Sequence, residues 1–330
     1  MPSPQIDVNV CFYGKPYHTI LAVKSLLKFS KQHINKIYIT VEKKQPQQDD
    51  AGIFLVKQAL KGDPIVYFHP DYFYNLGELD SLKAKENQAY RYQIPYQYAL
   101  EKSTMPFVFV MHNDCLFHGD MLGKMLETIE KSDKEVAGIG PIGQCWNCPA
   151  SFENLCESSK FMDFKKSKED LIQLMNRHSI PRPEITMRLI NEGKTHPLPE
   201  CRLNEYASLI NTKIYRENCL PHGSLVSYAG NWGGNDWGTV WFYQMVNKGF
   251  HFIHQRLEEF AKHAPFNEME NGISAYSNKN LYLESEMQAK KYLEEVYSIS
   301  LTLSFKNQIL QNLFSLKIKF KRKIGQMLFG

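Results

Sequence analysis

Over roughly the first hundred residues the apolar positions switch repeatedly between two periods. Residues 6–12 alternate around Val8 and Val10 as a strand does, and residues 17–30 place Ile20, Val23 and Leu27 at helical spacing. Residues 36–41 return to the strand pattern, 49–61 read as a helix, 65–68 as a strand and 87–101 as a helix. Residues 107–111, FVFVM, are apolar throughout and suit the middle of a sheet. Four strands alternating with helices predict an α/β fold: a mostly parallel central sheet with crossover helices on its faces. Ligands of such sheets bind beyond the carboxyl ends of the strands. The loops after Phe12, Val41, Phe68 and Met111 are therefore where chemistry is expected.

Past Gly138 the periodicity weakens into a turn-rich stretch, GIGPIGQCWNCPASFENLC. A helix is expected at 168–178, prolines 181, 183, 197 and 199 then interrupt the chain, and 203–210 has helical spacing. The segment GNWGGNDWGTVWFYQMVNKGF reads as a glycine-rich loop running into a helix, with Asp236 near its first turn. The last thirty residues put Leu313, Phe320, Ile324 and Met327 on one helical face with lysines interspersed. These patterns divide the chain into an α/β half (1–140), a second half with the cysteine-bearing insertion and the glycine-rich loop (141–295), and a basic amphipathic tail (296–330).

Composition narrows the class. With 43% hydrophobic and 22% charged residues the chain can build a core, and it contains no apolar run long enough to span a bilayer. The N-terminal MPSPQIDVNV lacks the basic and apolar regions of a secretory signal, and the seven cysteines are an odd number, so a cytoplasmic protein is expected rather than a secreted disulfide scaffold. The net charge of +4 is uneven: the tail carries Lys306, Lys317, Lys319, Lys321, Arg322 and Lys323 and no acid, which leaves residues 1–295 at −2. A nucleic-acid platform, which needs a basic face, is not expected.

Two segments carry candidate chemistry. The apolar strand 107–111 ends in His112-Asn113-Asp114, where a carboxylate can ligate a divalent cation that neutralises a diphosphate; the plainer reading is a strand-end loop. Trp232-Gly233-Gly234-Asn235-Asp236 is followed by Trp237. Its glycines permit close backbone approach, its tryptophans offer flat faces for sugar rings, and an Asp at a helix start stays ionised. The plainer reading is a turn capped by Asp236. A metal on one wall and a base on the other are the equipment of glycosyl transfer.

On these residues the sequence resembles the GT-A fold glycosyltransferases, which have a Rossmann-like sheet and a strand-end DxD motif. Its WGGND segment is similar to the WGGED segment of the β-1,4-galactosyltransferases. The resemblance implies that Asp236 deprotonates the acceptor hydroxyl and that Trp232, Gly233, Gly234, Asn235 and Trp237 meet the acceptor. It implies that Asp114 and His263, with His254 in reserve, hold Mn²⁺ or Mg²⁺, and that Phe12, Tyr13, Gly14, Glu42, Gln93, His112, Asn113 and Asp114 face a nucleotide-sugar donor, taken as UDP-linked. His112 stands where the family has the first Asp of DxD, and Asn235 stands where it has Glu. The implied activity is inverting transfer of a hexose to a glycan or lipid-linked acceptor in surface polysaccharide synthesis. A nucleotidyltransferase is the enzyme alternative, although Gly14-Lys15 is short for its phosphate loop; a zinc-stapled, membrane-associated interaction protein with a degenerate glycosyltransferase fold is the other.

Two features stand apart from the resemblance. Cys145-x-x-Cys148, with Cys156 and Cys201, has the spacing of a structural Zn²⁺ site, four free thiols being the alternative. The basic amphipathic tail suits the anionic cytoplasmic face of a membrane, a helix packed on the protein being the alternative.

Overall fold

The computed structural model describes residues 5–45, 52–73, 79–266 and 278–329. Seven strands form one sheet: β1 (Ile6–Phe12), β2 (Ile34–Val41), β3 (Ile65–Phe68), β4 (Phe107–Met111), β6 (Val136–Gly140), β7 (Ala207–Asn211) and β8 (His251–His254), in the order β3-β2-β1-β4-β7-β6-β8. Two more, β5 (Cys115–Phe117) and β9 (Ala261–His263), pair antiparallel beside it. In the large sheet β7 alone runs against its neighbours β4 and β6. The expected class, a mostly parallel α/β sheet flanked by helices, is the one found.

The helices are α1 (Pro16–Ser30), α2 (Ile53–Ala59), α3 (Ser81–Glu86), α4 (Gln88–Tyr92), α5 (Gln97–Lys102), α6 (Met121–Glu130), α7 (Pro149–Phe152), α8 (Lys168–Asn176), α9 (Pro183–Asn191), α10 (Thr212–Asn218), α11 (Thr239–Asn247), α12 (Lys279–Tyr297) and α13 (Phe305–Phe329). Alternate residues of the strands serve two cores. Phe109 and Met111 of β4 pack with Ile20, Leu26, Val56, Met121 and Leu293 from α1, α2, α6 and α12. Val108 and Val110 pack on the other face with Tyr96, Leu100, Ile214 and Trp241, contributed by α5, α10, α11 and the turn before α5. No helix among the described residues is long and apolar enough to cross a membrane.

Three expected elements differ. Residues 203–210 do not form a helix: Ala207–Asn211 is β7, because a run this short is decided by pairing, and β4 on one side and β6 on the other both offer it hydrogen bonds. The helix expected over 87–101 is two short ones, interrupted by Pro95 and by Tyr96 at φ 68°. Asp236 precedes the first turn of α11, which begins after Gly238 at φ 84°. The first residues of the helix expected at 49–61 lie outside the described residues.

The entry to α1 is held from the far end of the chain. Lys15 sits at φ 55° and Pro16 follows as the first helical residue. The backbone N–H groups of Tyr17 and His18 donate to Glu286 at 3.0 and 3.1 Å, the His18 ring lies 2.5 Å from the same carboxylate, and the Lys15 N–H donates to the Tyr282 hydroxyl at 3.0 Å. A carboxylate at a helix N-terminus satisfies orphan donors and complements the dipole. Glu286→Ala is expected to cost about 2–4 kcal/mol, the loss of several charge-assisted bonds at a buried site. Urea denaturation should show this as a lower midpoint at unchanged slope.

Candidate active site

At the C-terminal edge of the sheet the chain leaves β1 toward β2 and β3 on one side and returns to β4 on the other. The loops after β1 and β4 meet in the crevice that this reversal opens. Asn113 Nδ2 donates to the Gly14 carbonyl at 3.0 Å and to Thr19 Oγ1 at 2.9 Å, and Lys15 Nζ lies 2.8 Å from Asp114 Oδ2. Pairing of β5 with β9 sets His263 opposite Cys115, one residue beyond Asp114. The His263 Nε2 atom lies 3.2 Å from Asp114 Oδ1 and 3.2 Å from His112 Nδ1, and His112 Nδ1 is 3.9 Å from Asp114 Oδ1.

These three atoms suit a divalent cation. Adjacent ligands of an octahedral ion at about 2.1 Å stand about 3 Å apart, close to the separations found. Asp114 Oδ1 is buried without a hydrogen bond, and two imidazole nitrogens that face each other at 3.2 Å need a proton or a cation between them. Two imidazoles with one carboxylate suit Mn²⁺ better than Mg²⁺, which prefers oxygen. Behind the triad, Glu205 Oε1 is 3.7 Å from His112 Nε2, and Tyr206 stacks on His263 at 5.1 Å between centroids. Burial opposes ionisation of Asp114, but Lys15, then His263 and His112, hold its carboxyl well below the usual range.

The reversed strand β7 supplies the second wall. Because β7 is antiparallel, the segment leading into it arrives at the carboxyl edge of β4: the His112 N–H donates to the Tyr206 carbonyl at 3.2 Å, and Arg202 and Glu205 fall beside the triad. Arg202 Nε donates to Glu205 at 3.1 Å, and its other end lies 3.1 Å from Asp236 Oδ2. Arg182 donates to both Asp236 oxygens at 3.1 and 3.2 Å and to Glu200 at 3.2 Å, and Gln144 also donates to Asp236. Burial would raise the Asp236 pKa, but the charge of Arg202 and the bonds from Arg182 outweigh it and hold the carboxylate below its ordinary value. A chain of charged contacts thus joins the two walls, from His112 through Glu205 and Arg202 to Asp236.

Other residues singled out from the sequence occupy varied places. The Phe12 ring is wholly buried, so only its main chain faces the loop, its carbonyl accepting from Gln45 and from the Glu42 N–H. Tyr13 is partly exposed near Phe73 at 6.2 Å, and Gly14 has φ 70°. Glu42 is buried beyond β2, one carboxylate oxygen lacks a hydrogen bond, and burial pushes its pKa up to about 8. Gln93 is buried after α4. Asn235 is buried, and its Oδ1 accepts from the Trp232 N–H and Thr239 at 3.0 Å each, so it braces its own loop. Gly233 and Gly234 have φ 56° and 89°, and a Cβ on Gly234 would meet Ile185 at 2.9 Å. Trp232 packs edge-on to Tyr243, and Trp237 packs against the second core. His254 accepts from the Ile142 N–H and stands outside the triad.

Cys145, Cys148, Cys156 and Cys201 line one cavity as free thiols. Among the described residues, the group of His, Cys, Asp or Glu ligand atoms that converges within 4.8 Å is His112, Asp114 and His263. The sulfurs surround a space instead of closing on a point. Gln144, Arg182, Arg202, Glu205, Tyr282 and Glu286 were not singled out from sequence, and Lys15 entered only as part of a loop short for a nucleotidyltransferase. Lys15 alone carried a local signal, its place in the loop after β1; the others are brought in by long-range pairing.

No protein-family model matches the sequence, and no curated protein matches it. Among solved structures, the chain is similar to the mannosyltransferase PcManGT from Pyrobaculum calidifontis in complex with GDP-Man and Mn²⁺, with 7% identity over 95% of this chain and 80% of that chain and a TM-score of 0.43. It is also similar to mouse xyloside xylosyltransferase 1, with 11% identity over 76% and 85% and a TM-score of 0.41. Residues 1–349 of S. aureus TarS in complex with UDP-GlcNAc give 12% identity over 88% and 67% and a TM-score of 0.41.

The triad generates a pH prediction. Burial lowers the His263 pKa, but the charge of the Asp114 carboxylate, 3.2 Å away, outweighs it and raises it above its ordinary value. Without metal, this contact contributes stability that is complete below about pH 6.5 and is lost as pH rises through the raised value. A metal needs the unprotonated ring. A fixed Mn²⁺ concentration should therefore raise Tm more at pH 8 than at pH 6, and His263→Ala should remove the difference in thermal-shift measurements.

Proposed function

We propose that the protein is a metal-dependent glycosyltransferase that moves a sugar from a nucleotide-sugar to an acceptor hydroxyl. The observation that carries this reading is the meeting, at one edge of the sheet, of a metal-competent triad built on the buried Asp114, with Lys15 on one wall, and a carboxylate held by two arginines on the other. His112, Asp114 and His263 would hold Mn²⁺ or Mg²⁺, which when bound supplies positive charge for the departing diphosphate. Lys15 adds a second positive charge beside it. Glu286 already occupies the α1 N-terminus, so the diphosphate is neutralised by side chains and metal and not by that helix dipole. Phe12, Tyr13, Gly14, Glu42, Gln93 and Asn113 are assigned to the donor side, with UDP as the nucleotide.

The acceptor oxygen attacks the anomeric carbon, the carbon–oxygen bond to the diphosphate breaks, and Asp236 takes the acceptor proton, inverting the anomeric centre. A carboxylate below its ordinary pKa is a weak base. Arg182, 30% exposed on a residue at φ 55°, is the partner placed to swing away when acceptor arrives, whereas Arg202, 6% exposed, stays. Its departure raises the basicity of Asp236. Trp232, Gly233, Gly234 and Trp237 are assigned to the acceptor. Asp236→Asn should lower kcat by about 10²–10⁴ while donor affinity persists. Steady-state turnover measured with donor titrations checks both, and near wild-type turnover would exclude Asp236 as the base. Metal-dependent hydrolysis of a panel of nucleotide sugars without acceptor tests the class itself: no hydrolysis and no binding of any donor would favour an interaction protein.

A peripheral place on anionic membrane, in synthesis of a surface glycan, belongs to the same proposal. It is supported by the exposed stripe Phe305, Ile309, Leu313, Leu316 and Phe320 along α13, while Phe314 packs 6.0 Å from Phe54 of α2. Removal of residues 305–330 should release the protein from phosphatidylglycerol vesicles in a sedimentation assay, and binding of the full chain should weaken as salt rises.

A further inference from the structure

The cavity between the cysteine-bearing insertion and the loops around α9 has a composition of its own. Phe161, Phe164, Ile180 and Leu198, with four prolines, make its walls apolar. Within these walls three polar atoms are buried without a hydrogen bond: Arg182 Nε, Thr186 Oγ1 and Glu200 Oε1. A buried polar group left unpaired costs about 1–3 kcal/mol, and three of them around one apolar space mark where a ligand's hydroxyls would be received. Thr186 is only 4% exposed, so its hydroxyl is shielded from bulk solvent.

The position of the cavity gives it a role. Two side chains that line it, Gln144 and Arg182, are the ones that hydrogen-bond Asp236. The charges nearby are Arg182 and Arg202 against Asp236, Glu200 and Glu205, so the two cations are already matched and an anionic group would meet surplus negative charge. We infer that this cavity is the acceptor's aglycone subsite, receiving the apolar portion of a neutral, hydroxyl-bearing acceptor whose reacting hydroxyl lies at Asp236. The inference rests on the transferase reading for its name and on the cavity alone for its ligand chemistry. Occupation would take up Arg182 Nε, Thr186 and Glu200, and would draw Arg182 from Asp236 as the acceptor seats.

The cysteines make the subsite measurable without any assay of transfer, because Cys145, Cys148, Cys156 and Cys201 line the cavity and Cys11 lies outside it. The full-length protein is treated with methyl methanethiosulfonate at pH 8.5, and each cysteine is followed by mass spectrometry, with octyl β-D-glucoside below its micelle concentration, glucose or octyl phosphate as probes. Octyl glucoside should slow modification of the four cavity thiols at least fivefold and leave Cys11 unchanged, while glucose and octyl phosphate protect far less. Ile180→Trp, which fills the cavity from a partly exposed position, should abolish the protection and keep Mn²⁺ binding. Equal rates with and without octyl glucoside would overturn the inference, as would equal protection by octyl phosphate. Stoichiometric zinc with four unreactive thiols would overturn it too, since a Cys₄ metal would occupy the space. Protection without transfer to octyl glucoside would uphold the subsite as a binding site and count against the transferase reading. Transfer without protection would do the reverse.

Discussion

The ionised Asp114 carboxylate, buried at the point where the strand order reverses, is what the rest of the site is arranged around. A lone carboxylate there would be costly, and its partners come from three directions: Lys15 from the β1 loop at 2.8 Å, His263 from β9 at 3.2 Å, and His112 from its own loop. Lys15 sits at φ 55° immediately before α1 begins at Pro16. That entry is in turn fastened by Tyr282 and Glu286, more than 260 residues away in sequence. Helix α12 thus helps to shape the metal-competent wall.

The single reversed strand has a comparable reach. With β7 antiparallel, its leading segment lies at the functional edge and not at the opposite one, and Arg202 and Glu205 fill the ground between the triad and Asp236. Six parallel strands bring loops to this edge by their C-terminal ends; the seventh does so by its N-terminal end. The two walls are thereby one electrostatic unit. Because of it, the ionisation of Asp236 depends on Arg202 and Arg182, and Arg182 also lines the apolar cavity.

Much of the sheet was legible because period and length agreed: β1, β3 and β4 have the bounds their patterns predict. Residues 203–210 were misread because Leu203, Ala207 and Ile210 also fit helical spacing, and only pairing with β4 and β6 decides between the two. In the site, Asp114 was named from its strand-end motif and His263 from the resemblance, and the two side chains lie 3.2 Å apart. His112 also proved to be more than a departure from DxD, since its ring takes part in the triad. Arg182, Arg202 and Glu205 lie in proline-broken or ambiguous segments with no periodicity to place them. Asn235 was assigned to acceptor by resemblance, whereas its Oδ1 closes hydrogen bonds within its own loop.

The central claim is that His112, Asp114 and His263 hold a divalent cation at the place where a nucleoside diphosphate is neutralised. Electron spin-echo measurements on Mn²⁺ bound to the protein read both parts directly. The account predicts nitrogen couplings from two histidines, joined by phosphorus coupling when UDP or GDP is added, and loss of one nitrogen coupling in His263→Ala. A spectrum of hydrated Mn²⁺ without nitrogen coupling, or one unchanged by either nucleotide, would contradict it.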